Sequence, residues 1–66
     1  MFGIRFVKLG HGSERFPLVG PVLPDEQELW LAIVAGRAML GSRAPEADGF
    51  EVFLRESGEL VQEEWL

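Results

Sequence analysis

His11 and Ser13 stand two residues apart in the run Gly10-His11-Gly12-Ser13, an imidazole close to a hydroxyl. Those residue types could serve acyl transfer, the histidine taking the serine proton as the hydroxyl attacks. Nearness along the chain is a weak warrant for that chemistry. A nucleophile and its base are placed by the fold, and a third group must orient the base. A hairpin loop that needs positive φ accounts for Gly10 and Gly12 without catalysis. The same glycines could offer N–H groups to an anion, but the run lacks the spacing of a phosphate loop and does not join a strand to a helix. No catalytic residue is assigned.

Carboxylates are the other candidate chemistry, because Asp and Glu together number 11. Acid–base work needs one of them in an apolar pocket. Glu63 is the nearest to that condition, since strand alternation puts it on the same face as Val61 and Trp65. Glu51, Glu56 and Glu64 read as solvated strand positions. No loop has the alternating acidic spacing of a calcium site. Cysteine is absent and histidine occurs once, so a structural zinc site has no ligand set. The sequence therefore predicts neither metal nor cofactor.

Charge is uneven along the chain. Residues 1–23 carry Arg5, Lys8 and Arg15 against Glu14, a net of +2, whereas residues 46–66 carry only Arg55 against seven acids, a net of −6. An acidic chain without a basic stripe is a poor partner for nucleic acid, whose phosphates supply most of the binding energy. The residues Glu51, Glu56, Glu59, Glu63 and Glu64 could instead present an acidic face to a basic partner. Mimicry of nucleic acid would need these carboxylates in one stripe, and the predicted strand separates Glu51 and Glu64 on one side from Glu63 on the other.

The elements that position these groups are few. Phe2, Ile4 and Phe6 alternate with Gly3, Arg5 and Val7, a strand pattern. After the Gly10–Ser13 break, residues 14–19 resume an extended run in which Pro17 restricts the strand to an edge or a bulge. This makes a first hairpin over about 2–19. A helix follows over about 26–40, with Asp25 as N-cap, Glu28 completing a capping box, and Gly41 and Pro45 as the stop. Phe50 to Arg55 and Glu59 to Leu66 form a second hairpin about a Ser57-Gly58 turn over about 50–65. That register sets Leu54 against Val61 and Phe50 against Trp65, so that Phe50, Val52, Leu54, Val61 and Trp65 share a face. A short helix capped by Ser57 is the competing reading of residues 59–66. The fold class is α+β: two β-hairpins flanking one central helix, ββαββ, with the helix packed on an antiparallel sheet as a single small domain.

The helix itself is apolar almost all the way round. At 100° per residue, Met39, Ala32, Gly36, Leu29, Leu40 and Ile33 form one sector, and Trp30, Leu31, Val34 and Ala38 form a second on the opposite side. A sheet covers one of these. A chain of 66 residues buries only roughly 60% of its unfolded surface and has little left to cover the other. With disulfides excluded, association is the remaining source of stability. The second sector is accordingly the expected interface, with Trp30 as anchor, in a homodimer or against another protein. The apolar run is too short for the ~20 residues of a bilayer span, and no signal sequence is evident, so a cytoplasmic protein without membrane contact is expected. A small inhibitor or regulator, of the size class of phage anti-defence factors and antitoxins, fits these properties, as does an arginine-rich composition lacking Asn, Thr and Tyr, typical of GC-rich bacterial or phage genomes. The alternative is a small enzyme or ligand-binding domain whose pocket, drawing on Trp30, His11 and Glu63, is completed at a dimer interface.

Overall fold

The computed structural model describes residues 1–18, 23–42, 44 and 46–66. Strand β1 (Phe2–Leu9) is followed by β2 (Arg15–Pro17), helix α1 (Leu29–Met39), β3 (Gly49–Leu54) and β4 (Leu60–Trp65). The strands form one sheet in the order β2-β1-β3-β4, antiparallel throughout. Both expected hairpins are present, and the β1–β3 ladder fuses them, running from Phe2↔Leu54 to Val7↔Gly49.

Residues directly opposite one another in an antiparallel ladder share a face. Phe2, Ile4 and Phe6 therefore lie with Leu54, Val52 and Phe50 on one side, and α1 covers it. Phe6, Phe50 and Val52 are buried there with Ala32 of the helix and with Ala44 and Ala47 of the connection to β3. The Phe6 and Phe50 rings meet edge to face, centroids 6.2 Å apart, the arrangement their quadrupoles favour. Gly36 sets the height of the helix: a Cβ added to it would lie 2.5 Å from the Phe50 ring.

The helix is shorter at its start than the sequence suggests. It begins at Leu29, with Glu28 as N-cap and no side-chain cap hydrogen bond. Asp25 is occupied elsewhere, accepting from Arg55 at 2.7 Å. Glu26 exchanges two backbone hydrogen bonds with Phe2, at 2.7 and 3.0 Å. These tertiary bonds hold residues 25–26 extended against β1, and the capping box does not form. The stop is as expected at Gly41, whose φ is +85°. Val19 and Pro45 lie outside the described residues. In the first turn the left-handed position falls on Ser13, φ 65°, and not on Gly10 or Gly12; Glu14 instead folds back to accept from the Gly12 N–H at 2.9 Å.

The second hairpin has the expected strands in a different register. Leu54 N–H donates to Glu59 and Gly58 N–H to Leu54, closing a four-residue loop with Gly58 at φ +77° in place of a two-residue turn. A further shift at Val52/Phe53 gives Phe50↔Glu64, Glu51↔Glu63 and Gly49↔Trp65. A one-residue slip turns every side chain to the other face. Trp65 thus leaves the core side, and Glu63 joins Glu51 on the open side while Glu64 faces the helix.

The Gly36–Phe50 contact yields a clear expectation. Gly36→Ala should gain about 1 kcal/mol of helix propensity, yet overpacking against a buried ring costs about 1–3 kcal/mol. A net loss in urea unfolding, with native secondary structure retained, is the expected outcome; a gain would show that the helix can rise off Phe50 at no cost.

Candidate interaction surface

The side of α1 turned away from the sheet is apolar and open. Trp30 is 62% exposed, Val34 52% and Leu31 36%, and Ala38 is exposed beside them. Ala32 and Gly36 are buried on the opposite side, while Leu29, Ile33, Met39 and Leu40 are half-buried at its margins. All four residues expected at an interface therefore fall together on one exposed stripe. The cause is the period of the helix: Ala32 and Gly36 face the sheet, and the bulky indole is placed outward.

Arg37 borders this stripe on the β4 side. Its Nε and Nη2 donate to the two carboxylate oxygens of Glu64, both at 2.6 Å. The fork geometry suits a bidentate pair and ties the helix to the edge strand, so the rim of the apolar stripe is locally neutral.

The open face of the sheet is differently built. Glu51 is only 7% exposed and accepts from Arg5 Nε at 2.9 Å and Arg15 Nη1 at 2.8 Å. Arg15 also donates to Glu63 at 2.8 Å. The Arg15 guanidinium lies 5.1 Å from the Trp65 ring, and Arg5 and Arg55 lie 5.0 and 4.9 Å from the Phe53 ring. Trp65 occupies the space above Gly49, and Phe53 that above Gly3. Aromatic rings and guanidiniums thus roof this face, and Val7, placed on it between Pro17 and Gly49, is 1% exposed.

The five carboxylates singled out in the sequence are not gathered on one surface. Glu51 is buried beneath its arginines, Glu63 shares Arg15, Glu64 pairs with Arg37 on the other face, and Glu56 meets the amino group of Met1 in the β3–β4 turn. Glu59 is exposed just before β4. Nor does one chain bring Trp30, His11 and Glu63 together: they lie on the back of the helix, in the β1–β2 turn and on the open face of β4. Among the described residues no group of three or more His, Asp or Glu is placed to hold a metal, and no helix is long and apolar enough to cross a membrane. The free edge of β4 was not singled out from sequence; the signal for it was Pro17, which disqualifies the opposite edge. No family model, curated protein or solved structure matches the chain.

These ion pairs fix a pH dependence. Arg55 holds the Asp25 carboxyl below its ordinary range, the Met1 amino group does so for Glu56, and Arg37 for Glu64, in each case through a direct hydrogen bond. The folded chain therefore binds fewer protons than the unfolded one in mild acid. This stabilisation is complete above the ordinary carboxylate range, begins to fade as pH enters that range, and is lost as pH falls through the lowered folded-state values. Urea midpoints should start to drop below about pH 5 and keep falling as the medium becomes more acid. The Glu64→Gln variant should show a shallower drop, and an equally steep profile would refute the assignment to this pair.

Proposed function

We propose that the chain is a small protein-interaction module, an inhibitor or regulator that lays the exposed back of α1 into an apolar groove on another protein. The observation that carries this reading is the stripe of Trp30, Leu31, Val34 and Ala38, open on a helix whose opposite side is fully used by the sheet. Trp30, Val34 and Ala38 follow at four-residue steps, the spacing by which a helix is read in a groove. A contiguous apolar patch of this kind marks an interaction site in a soluble domain, and tryptophan is enriched among the residues that dominate binding energy.

Size favours a groove over a flat contact. A stable complex buries about 800 Å² on each partner, more than one stripe of an 11-residue helix can offer to a copy of itself. A groove that also embraces the flanks, from half-buried Ile33 to Arg37, makes up the difference. The net charge of −5 and the exposed Glu28 at the helix start call for basic residues on the rim of that groove.

The test compares wild type with Trp30→Ala. The variant should keep its far-ultraviolet circular dichroism and lose affinity by roughly 30-fold or more, the scale of a ~2 kcal/mol hot spot. In the purified complex with a partner captured from the native host, the resonances of Trp30, Leu31, Val34 and Ala38 should shift, and those of the open face should not. Wild-type affinity in Trp30→Ala would overturn the reading. So would a homodimer in sedimentation that the same substitution dissolves, since the stripe would then be covered by a second copy.

A further inference from the structure

The two edges of the sheet are not equivalent. β2 is three residues long and ends in Pro17, which has no N–H to donate, and both features block strand addition. β4 is six residues long, contains no proline, and among the described residues has no strand beyond it in the sheet.

The direction of its backbone groups follows from the ladder. Leu66 N–H donates to Asp48 at 2.8 Å. Hydrogen-bonded pairs recur at every second residue in an antiparallel ladder, so Glu64 and Gln62 bond to β3 opposite Phe50 and Val52. Glu63 and Trp65 then turn their N–H and C=O groups outward, while Leu60 and Val61 together stand opposite Phe53, where the register shift interrupts the alternation. Charged side chains usually guard such an edge. Here the two consecutive carboxylates are neutralised within the chain, Glu63 by Arg15 and Glu64 by Arg37. Around them Leu60 is 44% exposed, Val61 37% and Leu66 85%.

We infer that β4 pairs antiparallel with β4 of a second copy, about a twofold axis passing through Glu63. Pairing must use the outward-facing residues, so the register can change only in steps of two. With Glu63 on the axis, the Leu60–Val61 step of one copy meets Trp65 and Leu66 of the other, and the Gln62 amide lies opposite the Glu64 carboxylate. Apolar side chains meet apolar ones, and a donor meets an acceptor. One step in one direction sets Leu60 against Glu64 and Val61 against Glu63; one step in the other sets Glu64 against Glu64 and Glu63 against Trp65. The facing Glu63 carboxylates are each held by their own Arg15, so the row across the axis reads Arg15, Glu63, Glu63, Arg15, and each of the two like charges that meet is offset by a guanidinium on its far side. The blocked β2 edge ends the assembly at two chains. The product is an eight-stranded sheet with both helices on the same side, since the axis of an antiparallel strand pair stands perpendicular to the sheet. This goes beyond the docking proposed for α1 and makes no use of Trp30.

The chain has no cysteine, so one introduced thiol reports on the axis. Facing residues of a hydrogen-bonded pair have Cα atoms about 5.5 Å apart, within the span of a disulfide. Glu63→Cys should convert to a covalent dimer under mild oxidation, while Ser57→Cys, in the β3–β4 turn, stays reduced. Glu63→Pro removes an outward N–H without touching the ladder to β3, and should sediment as a monomer with unchanged circular dichroism. Glu63→Gln retains the N–H and should remain dimeric. Should the proline variant unfold, the cysteine result decides. A wild type that sediments as a monomer at high micromolar concentration overturns the inference, as does a Glu63→Cys chain that fails to cross-link. A dimer dissolved by Trp30→Ala but not by Glu63→Pro overturns it together with the groove reading, whereas partner binding lost in Trp30→Ala with the dimer intact supports both.

Discussion

The close seat of α1 on Phe50 is the contact from which the other features follow. Only small residues can face that ring, and Gly36 and Ala32 are the ones that do. This choice fixes the rotation of the helix about its axis. Once Gly36 points inward, Trp30, Leu31, Val34 and Ala38 can point only outward, because they lie on the opposite arc of the same 3.6-residue period. The exposed stripe is thus the geometric remainder of the tightest packing in the molecule. A bulkier inward face would lift the helix and loosen Phe6 and Phe50, which are central to the core.

Charge is used in a similarly local way. Arg5, Arg15, Arg37 and Arg55 all engage carboxylates of the same chain. They serve to close the open face over Glu51 and to hold the helix against β4. Little positive charge is left outside these pairs among the described residues, where Lys8 is the remaining side-chain cation. The excess of acid therefore describes what the molecule presents to its surroundings, while the arginines hold its edges and roof in place.

What the sequence made legible was whatever depends on period and punctuation. The strand alternation of Phe2, Ile4 and Phe6, the two sectors of the helix and the stop at Gly41 all follow from side-chain spacing and from the special freedom of glycine. The helix start and the register of the second hairpin were hidden, because each is decided by a partner distant in sequence. Asp25 is claimed by Arg55 and Glu26 by the backbone of Phe2, and neither contact leaves a mark in the local sequence. The loop closed by Gly58 and the shift beside Phe53 together move Trp65 and Glu63 to the side opposite Phe50 and Val52. Composition counted the carboxylates correctly, yet which of Glu63 and Glu64 shares a side with Glu51 rests on that single slip.

Arg15 belongs to one border of the sheet and Glu63 to the other, with two strands between them. Their bond passes over the roofed face like a tie-beam between opposite walls, sharing Glu51 midway. The short β2 has few ladder bonds of its own and would ordinarily be the first part to fray. With the beam in place, peeling β2 also strips Glu63 and Trp65 of a neighbour, and loosening of β4 is felt at Arg15 in return. The margins of this sheet should accordingly breathe in concert, as one cooperative unit.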